Sequence, residues 1–275
     1  MTLRAGVIGW PIAHSLSPRI HGHWLRRYGI DGAYEAVAVQ PEELEAAITR
    51  FRAEGWRGFN VTVPHKETII PLLDRLDPVA ARIGAVNTVV RLEDGRFEGR
   101  NSDAPGFIAS LYAEQVIESG KPAVLLGAGG AARAILAALS DFGFSPIRIA
   151  NRNRQRAETL AAQFPAIVHD WQDRAAMLDG AALLVNATSL GMQGQPPLDI
   201  ALDHLPGDAI VTDIVYRPLE TSLLAAARAR GNPVVDGLGM LLHQAVEGFR
   251  AWFGVESKVD QAVRDDVLTA IGGGN

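Results

Sequence analysis

Cysteine is absent from the 275 residues, which excludes disulfides, a thiolate nucleophile and sulfur-ligated zinc. No apolar run approaches the roughly 18 residues of a membrane span, and Gly9, Trp10 and Pro11 interrupt any apolar signal core at the N-terminus. Basic runs are missing too, apart from a small cluster between Arg152 and Arg156. With a net charge of −5, the expectation is no nucleic-acid partner and no membrane partner. The seven histidines form no metal-ligand word, since His21 and His23 stand two apart on an expected helix and point to different faces. No metal is therefore expected. The chain reads as cytoplasmic, and as a monomer or homodimer.

What is present is an ordinary globular composition, 48% hydrophobic and 21% charged, in a chain long enough for two cores. Strand-like and helix-like segments alternate through the first hundred residues: Ala5 to Ile8, Pro18 to Tyr28, Ala33 to Val39, Pro41 to Ala53 and Phe59 to Val63, with a helix expected to open at Pro64. Val86 to Leu92 and Arg96 to Arg100, joined through Asp94-Gly95, read as a hairpin and as an antiparallel edge. A second alternation starts at Ala123 to Leu126. It continues with a Gly-rich turn, an Ala-rich helix and strands at Ile147 to Ala150, Leu183 to Asn186, Ile210 to Asp213 and Pro233 to Asp236, with a helix at Thr221 to Arg230. Leu241, Leu242, Ala245, Val246, Phe249, Trp252 and Phe253 repeat at helical spacing, which is the pattern of core packing. Gly272 to Asn275 reads as a frayed tail.

The predicted fold is α/β in two domains. An N-terminal α/β substrate domain with a mostly parallel sheet covers residues 1–104, with returning helices at 240–275. A Rossmann dinucleotide-binding domain covers 105–239. Gly127, Gly129 and Ala132 fit G-x-G-x-x-A directly after an apolar strand and before a helix, where backbone amides and the helix dipole can receive a pyrophosphate. A turn made only for close packing and a methyltransferase are the competing readings. The next strand bears on the choice, because Ala150 is followed by Asn151, Arg152, Asn153, Arg154, Gln155 and Arg156, without the acid that would hold ribose hydroxyls. Arg152 and Arg156 are spaced to meet a 2′-phosphate, so NADP is the expected cofactor.

In the first domain, Lys66 closes Asn60-Val61-Thr62-Val63-Pro64-His65-Lys66 and Asp103 closes Asn101-Ser102-Asp103. A cation in the first turn of a helix opposes the helix dipole, so its presence asks for a nearby carboxylate or a substrate. Ser17 before Pro18 reads as a helix N-cap, a place where hydroxyls and free amides can gather around a carboxylate. Each of these residues also has a plainer role available as surface, cap or satisfied core polar group.

Five words occur in order: Ser15-Leu16-Ser17-Pro18, the run from Asn60 to Lys66, Gly84-Ala85-Val86-Asn87-Thr88, Asn101-Ser102-Asp103 and Gly127-Ala128-Gly129-Gly130-Ala131. They continue through Asn151-Arg152, Asn186-Ala187-Thr188-Ser189-Leu190-Gly191-Met192, Asp213-Ile214-Val215-Tyr216-Arg217-Pro218 and Gly237 to Gln244. Jointly they resemble the shikimate dehydrogenase family over nearly the whole chain. Two positions depart from the family pattern, Ser102 and Asn153, where it usually has Thr.

The resemblance implies that Ser15 and Ser17 hold the carboxylate of shikimate, and that Thr62, Asn87, Asp103 and Gln244 contact the ring hydroxyls or the reacting centre. It also implies that Tyr216 lines the same site and that Lys66 and Asp103 carry the proton chemistry. The cofactor would lie on Gly127, Ala128, Gly129, Gly130, Ala131, Asn151, Arg152, Arg156, Thr188 and Gly237. The implied reaction is the reversible NADPH-dependent reduction of 3-dehydroshikimate to shikimate. An NAD-dependent quinate/shikimate dehydrogenase and a non-catalytic NADP-binding sensor are the alternatives.

Overall fold

The computed structural model describes residues 2–115 and 117–272. The tail reading at residues 273–275 lies outside the described residues, and Gly272 itself closes a helix. The chain forms two compact units, one running to Asp103 and resuming at Leu242, the other spanning Ala104–Leu241. These limits differ by one or two residues from the boundaries at 104 and 240 expected from the sequence.

The first unit contains β1 (Leu3–Gly9), α1 (Ser17–Arg27), β2 (Gly32–Ala38), α2 (Leu44–Ala53), β3 (Gly58–Val61), β4 (Arg75–Leu76), α3 (Pro78–Ile83), β5 (Thr88–Arg91) and β6 (Phe97–Arg100). α4 (Asp103–Glu114) begins at its end. The sheet order is β2-β1-β3-β5-β6-β4. β1 runs parallel to β2 and β3, while β5 is antiparallel to both β3 and β6. The hairpin is therefore internal, and the two-residue strand β4, parallel to β6, takes the edge that the sequence assigned to it. One face packs Ile8, Phe51, Trp56, Phe59, Val86 and Phe97. An aromatic group of His21, Trp24, Tyr34, Phe249 and Trp252 packs together elsewhere in the unit.

Two local expectations fail. No helix opens at Pro64, where the Val63–Pro64 peptide is cis and the chain passes through successive turns to a short 3-10 turn at Ile70–Leu72. The segment makes isolated turn bonds of its own, from His65 N–H to Thr62 O and from Ile69 N–H to His65 O, but the Lys66 carbonyl accepts from Val86 N–H at 2.8 Å, in the loop before β5. Lys66 accordingly opposes no helix dipole. Ser17 is not an N-cap either: Leu16 holds that position without a side-chain cap, and Ser17 is already helical.

The second unit contains β7 (Ala123–Leu126), α5 (Gly130–Phe142), β8 (Ile147–Ala150), α6 (Arg154–Ala161), β9 (Ile167–His169), β10 (Leu183–Asn186), β11 (Ile210–Asp213), α7 (Ser222–Ala229) and β12 (Val234–Val235). α8 (Gly237–Phe253) and α9 (Gln261–Gly272) follow, and lead into the part of the chain that belongs to the first unit. The order β12-β11-β10-β7-β8-β9 is parallel throughout, a Rossmann arrangement with its order reversing beside β7. Its central strand β7 is a continuous apolar run, as a strand covered on both faces tends to be. Leu126 pairs with both Ala150 and Asn186, and Asn186 with Asp213, so four neighbouring strands end level. The residues that leave them emerge along one line. No helix among the described residues is long and apolar enough to cross a membrane.

Candidate active site

Antiparallel pairing gathers the first group of side chains. Because β5 runs against β3 and β6, the residue before β5, Asn87, lies beside the residues that follow those two strands. Lys66 Nζ donates to Asp103 Oδ2 at 2.5 Å, and Asn87 Nδ2 donates to the other carboxylate oxygen at 2.8 Å. The side chains of Lys66 and Asp103 are 14% and 7% exposed, so the pair is largely shielded from water and its charge-assisted contact is correspondingly firm. Two of the three ammonium protons have no protein partner among the described residues.

The amide of Asn87 has only one workable orientation. Its Oδ1 accepts from the Ser102 backbone N–H at 2.8 Å, a group that can only donate, so Nδ2 must face the Asp103 carboxylate. The same Nδ2 lies 3.4 Å from Gln244 Oε1, which brings α8 to the site. Thr88 Oγ1 donates to Asn87 Oδ1 and accepts from Asn60 Nδ2, and Tyr34 donates to Asn60 Oδ1 at 2.5 Å. Asn60, Asn87, Thr88, Ser102 and Asp103 are all buried, and the network leaves each with a partner, as buried polar groups require. At Ser102 the hydroxyl lies 3.2 Å from that of Thr88 and donates to Asn87 Oδ1, so the serine supplies the polar contact that a threonine would.

Thr62 follows β3, half-buried, with its backbone N–H on Ile8. Ser15 Oγ accepts from the Ser17 N–H at 3.3 Å, which places the two serines in one turn at the start of α1. Tyr216 belongs to the second unit, three residues past β11.

The second group lines the level strand ends. Gly127 has φ +117°, and a Cβ there would meet Ala187 O at 2.8 Å, so the turn after β7 lies directly against the segment after β10. A Cβ on Gly129 would meet nothing within 4 Å, which leaves open space at the N-terminus of α5. That N-terminus has no side-chain cap and no acid in its first turn, so the amides of Gly130 and Ala131 and the positive end of the dipole remain to receive an anion. Ala128 joins the two glycines of this turn.

Past β8, Arg154 is engaged by Glu158 and Asp170, whereas Arg152 and Arg156 are exposed and neither guanidinium has an ion-pair partner among the described residues. Asn153 is the N-cap of α6, accepting from Arg156 N–H, and Asn151 Nδ2 donates to the Asn153 carbonyl at 2.8 Å. Asparagine and threonine both serve as N-caps, which accounts for the departure at 153. At Gly237 a Cβ would sit 2.4 Å from Ile214 O, so this glycine answers a close backbone approach. Thr188 Oγ1 donates to Asn186 Oδ1 at 2.7 Å. These features suit a dinucleotide carrying an additional phosphate beyond β8.

The sequence reading missed Asn60, Thr88, Tyr34, Asn186, Asp213 and Thr221 as parts of the supporting networks. A signal was available for two of them, since an asparagine inside an otherwise apolar strand must find internal partners.

Three family descriptions match the chain: the shikimate dehydrogenase substrate binding domain over residues 7–89, shikimate/quinate 5-dehydrogenase over 112–192, and the shikimate 5′-dehydrogenase C-terminal domain over 237–263. The shikimate dehydrogenase (NADP(+)) of Paramagnetospirillum magneticum is 57% identical over 269 residues, spanning 96% of this chain and 98% of that protein. The crystal structure of shikimate 5-dehydrogenase from Thermus thermophilus in complex with NADP(H) and shikimate is similar with a TM-score of 0.88 at 39% identity, covering 98% of this chain and 100% of that one. Quinate dehydrogenase from Corynebacterium glutamicum in complex with NAD has a TM-score of 0.90 at 31% identity, covering 98% and 99%.

Proposed function

Because the chain belongs to the shikimate dehydrogenase family, we propose that its Lys66–Asp103 pair carries the proton chemistry of a reversible, NADP-dependent reduction of 3-dehydroshikimate to shikimate. The observation that carries this assignment is the shielded ammonium–carboxylate contact at 2.5 Å, fixed from behind by Asn87. NADPH, when bound, supplies the hydride to the C3 carbonyl carbon. The Lys66 ammonium polarises the carbonyl oxygen and gives a proton to the alkoxide as it forms. In the reverse direction the neutral amine takes that proton back. Asp103 holds the lysine in place and can accept from a neighbouring ring hydroxyl, while Asn87, Thr62 and Gln244 orient the remaining hydroxyls. Ser15 and Ser17 receive the substrate carboxylate at the start of α1.

Gly127 to Ala131 would hold the pyrophosphate of NADP, with Asn151, Thr188 and Gly237 around it, and the uncommitted Arg152 and Arg156 would meet the 2′-phosphate. The quinate dehydrogenase resemblance supports a second reading, an enzyme that takes NAD and a saturated ring. Retention of the Lys66–Asp103 contact speaks against a sensor, which needs neither residue. The reading places the enzyme in the cytoplasm as a monomer or homodimer without nucleic-acid or membrane partners, consistent with its net charge of −5.

The test is NADPH absorbance in the presence of 3-dehydroshikimate, with shikimate and quinate offered in reverse to both nicotinamide cofactors. Consumption of NADPH and oxidation of shikimate by NADP are expected. Equal use of NAD and quinate would establish the second reading, and no turnover in any combination would establish the sensor.

A further inference from the structure

β8 carries one charge through an otherwise apolar strand. Ile147 and Ile149 are buried on one face, and Arg148 stands with Ala150 on the other, where Ala150 belongs to the same core cluster as Met177 and Leu178. A guanidinium in such a place needs partners for its donors. Arg148 Nη1 donates to the Met177 carbonyl and to the Asp179 carbonyl, each at 2.6 Å, which ties the side chain to the short 3-10 turn Ala176–Leu178. Both Nη1 protons are thereby spent. The Nε–H and the Nη2 protons have no partner among the described residues. Nε–H and the adjacent Nη2–H point the same way, and form the edge with which an arginine grips a carboxylate through two parallel bonds. Two backbone carbonyls hold this guanidinium still and leave its gripping edge open.

Arg148 lines a recess of about 270 Å³ together with His169, Ala176, Met177 and Asp179. Ligand pockets begin at roughly 300 Å³, so the occupant is small. The walls differ in chemistry. His169 is half-buried and lies beside Ala150 in the β8–β9 register, and Met177 brings a buried thioether. Asp179 is exposed, and its carboxylate has no hydrogen-bond or ion-pair partner among the described residues. Arg148 reaches the backbone of Asp179 and not its side chain. A cation and an anion therefore line one small space without neutralising each other.

A phosphate dianion would meet Asp179 as well as Arg148, and a plain amine would find only the acid. A molecule with a carboxylate and an ammonium on the same carbon answers both charges. We propose that this recess binds a small α-amino acid, with its carboxylate on the Nε–Nη2 edge of Arg148, its ammonium toward Asp179 and its side chain against Met177 and His169. None of these residues belongs to the Lys66 group or to the turn after β7, so the site is independent of the substrate and cofactor assigned above.

Saturation-transfer NMR on the whole chain, read on the ligand, tests this with L-leucine and its two halves as probes. Leucine is expected to bind with a dissociation constant on the order of 1–10 mM, as so few atoms allow. Isocaproate, which is leucine without its ammonium, binds about two- to fivefold more weakly, the worth of one exposed ion pair. Isoamylamine, which is leucine without its carboxylate, is at least about tenfold weaker than leucine, and inorganic phosphate competes with leucine at least about tenfold less well than unlabelled leucine does. Asp179→Asn brings leucine down to the level of isocaproate without weakening isocaproate itself. Arg148→Lys keeps the charge, removes the fork and weakens leucine and isocaproate alike by at least about tenfold.

No binding of leucine, isocaproate or phosphate binding as tightly as leucine, or an Arg148→Lys protein that holds leucine undiminished would overturn the proposal. Arg148 also ties down the turn at Ala176–Leu178, so its variant is checked for folding by its melting temperature. Where that variant fails to fold, Asp179→Asn decides: its side chain touches no protein group among the described residues, and an unchanged ratio of leucine to isocaproate affinity would remove the amino-acid assignment.

Discussion

His21 lies flat against Tyr34, with ring centroids 3.9 Å apart and planes within 10°, and neither imidazole nitrogen has a hydrogen-bond partner among the described residues. Trp24, Phe249 and Trp252 surround the stack. Burial lowers the His21 pKa from 6.5 to about 3, so the ring is neutral in the folded protein at any physiological pH.

The folded pKa is depressed while the unfolded one stays near 6.5, so the unfolded chain binds the proton first as pH falls. Stability from this residue is complete above pH 6.5 and is lost progressively between 6.5 and about 3. Each unit of separation corresponds to about 1.4 kcal/mol. Urea denaturation of wild type and His21→Phe at several pH values should show the variant losing less stability on acidification, with a gap growing to several kcal/mol, order of magnitude, near pH 4. Parallel curves for the two proteins would show that His21 reaches solvent and titrates normally.

Lys66→Ala removes the proton donor and leaves the strand ends of the second unit untouched. Turnover should fall by about 10²- to 10⁴-fold, while the dissociation constant for NADPH stays within twofold of wild type, about the scatter of such a measurement. A variant that keeps more than roughly a third of wild-type turnover would contradict the assignment, since the general-acid contribution is far larger than that.

Changing Arg152 and Arg156 together to neutral residues should raise the KM for NADP and leave activity with NAD nearly unaltered. A shift of roughly one to three orders of magnitude in preference is expected after solvent screening. Because both guanidiniums lack protein ion-pair partners among the described residues, the melting temperature should not move, which separates a cofactor effect from a folding effect. An unchanged ratio would leave the two arginines as solvated surface.

The second unit was the more legible in sequence. Ile147–Ala150, Leu183–Asn186 and Ile210–Asp213 are short segments rich in Ile, Leu and Val between polar or glycine punctuation, and the strands occupy those residues. Pro64 was misread because a proline after an apolar strand looks the same whether it opens a helix or sits in a turn. The deciding bond, from Val86 N–H to the Lys66 carbonyl, joins residues that local pattern cannot relate. β4 escaped notice because two residues carry no period. At the site, Lys66 and Asp103 stood out through the family words that they close, whereas Tyr34 and Asn60 are linked only by pairing across β1, 26 positions apart in the chain. Hydrogen-bond networks of this kind become visible only once register is known.

The first unit is closed by residues from the end of the chain. Trp252 in α8 donates its indole N–H to Val89 O at 2.9 Å, and Gly58 has no room for a Cβ because the Val89 carbonyl and that indole both occupy it. Gln244 from the same helix reaches Asn87. On the ribosome, the larger, N-terminal part of this unit therefore emerges first and lacks one wall of its core while the contiguous unit of Ala104–Leu241 is translated. The order of completion is the reverse of the order of synthesis, and Gln244 joins the Asn87 amide beside Lys66 only once α8 has been made.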